Sequence, residues 1–595
     1  MPRRSWDPLA ARKRAAIIPF PVPAGQMGAC LARRFAARLP AGPSRGPDIG
    51  RRPGVRPATV DQIPGGRMSE RNDYDSLPMN WVGDWAGRRA ALTPDKPAVH
   101  DPDAGPPLTF AQMNARADRT GRWLTDTLGL APGERFAVLC RNRLELVDLY
   151  LACGKTGVVL TPLSFRLAAP ELNDLLARMA PSAFMHEEAL AALAESLDLP
   201  PSVRRRLALD EAGEVWQRRV LTSPEQPANR PLPMQAPYLY IHTGGTTGKP
   251  KICPISHRQM TWNAIDILAT SGGALGPQRE LVTFPFFHIG GWNTLTPVYY
   301  AGGYSVLMRE FDPGRALELI AAEGITHFGG VEAMLQLMSK HPAFADTDLS
   351  TLEGITTAGA PCGEATMRPW VERGIPVAQS YGLTEGGPSN FMLVTDGLEA
   401  DGIWELRHSI GQSMFHTDYR ITHPDEGTVV APGETGVLEL RSPHCFDGYL
   451  DDPDRTDRVF REGGWVWTGD MARADACGRV TLVGRADNVF VSGGENIAPE
   501  EIETVLNTHP GVSAAAVAGV PHPHWGQVPG ALVVTNGSPP GVADLEAHAA
   551  LRLARFKRPR HWRFVDALPL TGAGKIDRAR VAEMLKQDEN SDAGN

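Results

Sequence analysis

Short apolar runs without helical period alternate with stretches of helical period along residues 108–379. Residues 108–110 predict a strand and 111–128 an amphipathic helix, followed by a strand at 135–139 and a helix at 145–154. Residues 158–160 and 238–242 are short runs rich in β-branched or aromatic residues and read as buried strands. Asp312 caps a predicted helix with Pro313 at its first position, and Gly324 closes it. Beyond it the pattern predicts strands at 325–328, 354–358 and 377–379, with helices at 332–339 and 364–372. Such repetition implies an α/β fold with parallel sheets flanked by helices. From Ala431 the pattern changes to a turn and several short strands, a β-rich subdomain running to Val483. After Gly484 it changes again, to helices at 500–507 and 542–553 and strands at 513–520 and 562–565, a small α+β unit. A large N-terminal domain is thus expected over 73–486, a C-terminal one over 487–586, and a polar tail over 587–595.

A chain of 595 residues is too long for one core, in keeping with that division. The apolar share, 42%, is that of a globular protein, and there is no apolar run of about 18 residues to cross a membrane. The seven cysteines are scattered, which argues against a disulfide framework or a zinc site and for a reducing compartment, so a cytoplasmic location is expected. A net charge of −8 gives no reason to expect a nucleic-acid partner. The charge is uneven: residues 1–67 hold thirteen Arg and Lys against three acids, about +10, leaving the rest near −18. That Pro-, Gly- and Arg-rich segment reads as disordered. Met68 is the expected true start, with a targeting segment as the alternative.

The stretch with the clearest chemistry follows the strand at 238–242: Thr243, Gly244, Gly245, Thr246, Thr247, Gly248, Lys249, Pro250, Lys251. Glycines let backbone N–H groups approach an anion, threonines add hydroxyl donors and lysines add charge. The loop is equipped to hold phosphate, but it is not a Walker A loop. Thr243 stands where that motif has its first glycine, and Pro250 where it has its hydroxyl.

The loop instead resembles the ATP-phosphate loop of the adenylate-forming superfamily, and five further stretches match that family in order. Gly244 stands where the family usually has Ser or Thr, and Ile252 where it usually has Gly. In FPFFHIGG the resemblance places His288 against the carboxylate-substrate site and the aromatics along the acyl pocket, with Trp292 and Asn293 facing it. In TTAGAP it packs Gly359, Ala360 and Pro361 on adenine. In YGLTE it gives Tyr381 and Gly382 to the purine, Thr384 to the α-phosphate, and Glu385, with Thr247, to Mg2+. By the same resemblance, Asp470 of WTGD would bind the ribose hydroxyls, Arg485 would reach the nucleotide, and Asp487 would be the hinge of a mobile C-terminal domain. Asn488 replaces the acidic residue often seen after the hinge. The resemblance makes Lys575, in PLTGAGKI, the lysine expected to close over the site as the main catalytic residue of the first half-reaction. In the same way Gly493 and Gly494 match the family's loop that would leave room for the pantetheine arm of CoA.

The resemblance covers residues 81–586 and implies an ATP-dependent carboxylate–CoA ligase using ATP, Mg2+ and CoA. A small carboxylic acid becomes an acyl-adenylate and is then transferred to CoA. A free-standing enzyme that loads a carrier protein is an alternative, as is an inactive nucleotide- or acyl-binding sensor. A homodimer is compatible with the resemblance. The segment FPFFHIGGWNTLTPVYYAGG, and Gly387 after Glu385-Gly386, point to an aryl, hydroxycinnamate-like or medium-chain fatty acid, with Trp292 shortening the pocket. Glu332 stands beside Gly330 at the expected pocket wall, where relatives carry proline. Its carboxylate is expected either to be solvated or to exclude anionic tails.

Overall fold

The computed structural model describes residues 76–243, 250–273, 275–395, 398, 400–492, 495–537, 539–570 and 576–592, all within the unit Arg71–Asn595. The expected extension at 1–67 lies outside the described residues. Two large sheets carry the N-terminal part. The first has nine strands, of which six run parallel in the order Val377–Leu383, Gly354–Thr357, His327–Gly330, Arg279–Val282, Tyr304–Leu307, Pro97–His100. Antiparallel strands flank it, Gly387–Met392 and Gln412–Ser413 on one side and Leu108–Thr109 on the other. The second has six strands in the order Arg205–Leu209, Ala183–Glu187, Arg135–Leu139, Val159–Pro162, Pro237–Thr243, Lys251–Ser256. All but the last pair run parallel.

Local chemistry sets the helix ends. Thr109 caps Phe110–Arg122 by accepting from the Gln112 N–H at 3.3 Å, while the Gln112 side chain takes the Thr109 N–H at 2.8 Å. Asp312 accepts from the Arg315 N–H at 2.7 Å, Pro313 opens the helix Pro313–Glu323, and Gly324 ends it with φ of 58°. Between the sheets runs a stack of five rings. His257, Tyr238, Tyr150, Trp292 and Phe286 follow one another with centroids 4.2–4.6 Å apart. Each such contact adds about 1 kcal/mol beyond the area it buries. Burial holds His257 neutral, its pKa lowered to about 3.

The β-rich part is a five-stranded antiparallel sheet: Asp418–Thr422, Gly436–Arg441, Trp465–Ala474, Phe460–Arg461 and Val480–Arg485. A last five-stranded sheet follows it, with Gly526–Thr535 paired antiparallel to Val512–His522 and parallel to His561–Phe564. Residues alternate across this sheet. Val517 and Val533 pack with Ile502, Leu506 and Leu545. Ala516, Ala518 and Leu532 pack with Val581 and Leu585 on the other face. The strand Gly526–Thr535 is absent from the sequence prediction, because GQVPGALVVT carries a proline and two glycines where a central strand is not expected. Among the described residues no helix is long and apolar enough to cross a membrane.

Candidate active site

The parallel strands of the nine-stranded sheet bring the candidate residues to one edge. Gly330 ends the strand His327–Gly330, and Gly359, Ala360 and Pro361 follow Gly354–Thr357. Tyr381 and Gly382 lie near the end of Val377–Leu383, with Thr384 and Glu385 just past it, and His288 follows Arg279–Val282 on its connection. These four strands are neighbours, and the carboxyl ends of parallel strands are where α/β sheets bind ligands.

The nucleotide-facing candidates form one bonded group. Asp470 and Arg485 face each other across the antiparallel pair Trp465–Ala474 and Val480–Arg485. Arg485 Nη1 donates to Asp470 Oδ1 at 2.9 Å and to the Thr468 carbonyl at 3.1 Å, while Tyr381 donates its hydroxyl to Asp470 Oδ2 at 2.5 Å. Burial and the adjacent Asp470 carboxylate raise the Tyr381 pKa, so the phenol keeps its proton and stays a donor. Asp487 sits 3.6 Å from Arg485 Nη2. Asn488 donates to Glu500 Oε1 at 2.5 Å, which the Arg578 guanidinium also reaches at 3.0 Å. The departure at Asn488 thus replaces a charge with an amide donor suited to that carboxylate.

Two side chains hold the adenine-loop candidate from behind. Gln379 accepts from the Cys362 N–H at 2.8 Å, and Glu332 Oε1 from the Gly363 N–H at 2.8 Å and the Thr366 hydroxyl at 3.0 Å. Glu332 is therefore neither merely solvated nor aimed at a substrate tail, contrary to both expectations. It caps the helix Glu364–Glu372, whose positive N-terminal dipole favours a carboxylate.

The pocket candidates divide. Phe284 is half-buried and packs beside Gly290 and Gly329, where a Cβ would meet its ring at 3.5 and 3.4 Å. His288 is exposed, caps the helix Ile289–Ala301 and accepts from the Gly290 N–H at 3.0 Å. His242 nearby is held neutral, its pKa lowered to about 4 by burial and then by His288. Trp292 does not face a pocket as expected: it is fully buried, with Tyr150 and Phe286 stacked on it, and presents no surface to a ligand. Asn293 is engaged between Asn263, at 2.8 Å, and the Ser389 hydroxyl, at 2.9 Å. Gly387 has φ of 81°, and a Cβ there would lie 2.2 Å from His444 Nδ1, so only glycine fits.

Thr243 pairs with Lys251 across an antiparallel hairpin, so the phosphate-loop candidate joins two strands and not a strand to a helix. Its residues Gly244, Gly245, Thr246, Thr247 and Gly248 lie outside the described residues, as do Gly493, Gly494 and Lys575. Among the described residues on either side of them, Ser492 pairs with Glu495 and Leu570 with Ile576. Ile252, the other departure, packs into a leucine-rich core cluster. Tyr449, absent from every motif, donates to Glu385 Oε1 at 2.6 Å and accepts from Lys251 Nζ at 3.2 Å. No pattern signalled it, since a lone tyrosine after glycine carries no period or spacing.

No cluster of three or more metal-ligating side chains occurs among the described residues. Glu385 still fits Mg2+, which takes one or two carboxylates and completes its shell from phosphate oxygens and water. The fold and the site define a nucleotide-binding α/β enzyme with a separate C-terminal sheet. The model of the AMP-binding enzyme matches residues 87–450, that of the AMP-binding enzyme C-terminal domain matches 501–575, and the chain belongs to this family. It is similar to feruloyl-CoA synthase of an Amycolatopsis species, 36% identical over 506 residues, 84% of this chain and 98% of that one. Indoleacetate–CoA ligase of Aromatoleum aromaticum is 33% identical, covering 85% and 98%. The fold is similar to o-succinylbenzoate CoA synthetase of Bacillus subtilis in complex with its acyl-adenylate, with a TM-score of 0.71 and 26% identity, covering 84% and 97%.

Proposed function

We propose that the chain is an ATP-dependent carboxylate–CoA ligase that forms an acyl-adenylate and passes the acyl group to CoA. The observation that carries the reading is the bonded group Tyr381–Asp470–Arg485, set beside the candidate adenine loop at the strand ends. Asp470 can accept both ribose hydroxyls while Tyr381 and Arg485 fix its orientation. Gly359, Ala360 and Pro361 are exposed beside that group and offer a flat backbone surface to the purine.

In the first half-reaction a carboxylate oxygen of the substrate attacks the α-phosphorus of ATP and pyrophosphate leaves. Thr384 and Lys575 are assigned to the α-phosphoryl charge, and the lysine also bridges the attacking carboxylate. Thr243, Lys251 and the glycine loop are assigned to the leaving pyrophosphate. Magnesium, held by Glu385 and Thr247, would supply positive charge against the phosphate oxygens. In the second half-reaction the C-terminal domain turns about Asp487, and the CoA sulfur passes Gly493 and Gly494 to attack the acyl carbon, releasing AMP. The enzyme supplies placement and charge, with no covalent intermediate on the chain.

For the acid, the feruloyl- and indoleacetate-activating relatives favour an aryl acid over a medium-chain fatty acid. The test is pyrophosphate release with ATP and magnesium across benzoates, hydroxycinnamates, indole acids and fatty acids, with and without CoA. Aryl acids should give CoA-dependent turnover, and Lys575→Ala should lose it while still accepting supplied acyl-adenylate. Turnover indifferent to CoA would point to a carrier-protein acceptor, and silence with every acid would remove the ligase reading.

A further inference from the structure

The segment Phe446–Leu450 joins two parts of the site that lie far apart in sequence. The Phe446 N–H donates to the Glu385 carbonyl at 2.9 Å, and the Leu450 N–H to the Ile252 carbonyl at 2.9 Å. One end of the segment is thus tied to the metal candidate and the other to the residue after Lys251. Tyr449 lies between these ties. Its hydroxyl completes the link, donating to Glu385 Oε1 at 2.6 Å and accepting from Lys251 Nζ at 3.2 Å. A phenol has one proton to give and lone pairs to receive, so both bonds coexist. The Lys251 ammonium also stands 4.9 Å from the Tyr449 ring centroid, within cation–π range.

The ring is held rigidly. Its backbone N–H donates to the Thr456 hydroxyl at 2.9 Å, which in turn donates to the Asp452 carbonyl at 2.8 Å. Asp452 caps the helix Pro453–Val459. Gly448 has φ of 136°, and a Cβ there would meet Thr456 at 2.8 Å, so the turn into Tyr449 requires glycine. Phe446 packs edge-on against the ring at 5.0 Å.

We propose that Tyr449 is a positioning residue that sets Glu385 and Lys251, through one hydroxyl, for the magnesium–triphosphate part of the nucleotide. The inference rests on the ATP reading given above. The hydroxyl directs one carboxylate oxygen and leaves the other for the metal. It also keeps the lysine beside the carboxylate without a direct ion pair, so neither charge is spent on the other.

The test is equilibrium binding of ATP with and without Mg2+, and of AMP, to wild type, Tyr449→Phe and Glu385→Gln, alongside thermal unfolding. Phenylalanine keeps the ring, its packing and the cation–π contact. Tyr449→Phe should weaken magnesium–ATP binding about ten-fold, the usual scale of a lost charge-assisted hydrogen bond, with AMP binding and the unfolding midpoint unchanged. Unchanged magnesium–ATP affinity, or an equal loss for AMP, would overturn the proposal. Glu385→Gln separates the two readings. If it abolishes the magnesium dependence while Tyr449→Phe is silent, the proposal alone fails. If it leaves that dependence intact, the metal assignment fails and takes the Glu385 half of the proposal with it.

Discussion

Glu280 is buried in the strand Arg279–Val282 behind the pocket wall, where it accepts from the Gly329 N–H at 3.2 Å and the Gln278 amide at 2.6 Å. Burial raises its pKa from the ordinary 4.5 to about 7, and the two hydrogen bonds only partly oppose that. The folded state therefore binds the proton more tightly than the unfolded chain. The stability this contributes is complete below about pH 4.5 and is lost as pH rises to about 7. Glu280→Gln keeps the size and an acceptor without the titration. It should leave stability nearly unchanged at pH 4 and raise it at pH 8 by about 3 kcal/mol, read from urea unfolding at both values. An equal difference at the two pH values would show that the carboxyl does not titrate there. At this scale the sequence is most legible where motif residues prove to be in contact, as Tyr381 and Asp470 are. It is least legible where a contact joins distant segments. Nothing local distinguishes Tyr449, 64 residues from its partner Glu385, or shows that Trp292 lies inside a stack with Tyr150.

The helix Glu364–Glu372 begins with Gly363, which has no side chain to cap it. Its cap comes from Glu332, the first residue of the helix Glu332–Lys340, 31 positions earlier. One carboxylate thereby ties the end of the pocket-wall strand to the loop assigned to adenine. Glu332→Ala should cost about 1 kcal/mol in urea unfolding, the usual worth of a cap. It should also raise KM for ATP with kcat little changed, and Glu332→Gln, which keeps the acceptor, should restore both. An alanine variant with wild-type KM would separate the cap from the nucleotide loop. Elements with strong local signals match their prediction closely: Asp312, Pro313 and Gly324 bound their helix as expected, and the helix Glu364–Glu372 has the limits foreseen. The strand Val377–Leu383 runs four residues past its predicted end, because YGL looks like a turn until its antiparallel partner Gly387–Met392 extends the ladder.

On the scale of the whole molecule, four neighbouring strands of the nine-stranded sheet bring the adenine and acid candidates, with Thr384 and Glu385, to one edge, and the five-stranded antiparallel sheet contributes Asp470 and Arg485. The alternation of strand and helix made that parallel arrangement legible, and the order of the motifs supplied the residues proposed for the site. The pairing of Asp470 with Tyr381, 89 residues apart, depends on how two sheets pack, which no local pattern records. The central claim is the acyl-adenylate, and isotope transfer tests it most directly. The acid preferred in the panel would be supplied with 18O in its carboxylate, with ATP, magnesium and CoA, and the products analysed by mass spectrometry. Attack by the carboxylate at the α-phosphorus leaves one labelled oxygen in AMP once the thioester forms. Label in AMP is the predicted result. Label in inorganic phosphate with formation of ADP, or no label in any phosphate product while the thioester accumulates, would contradict the account.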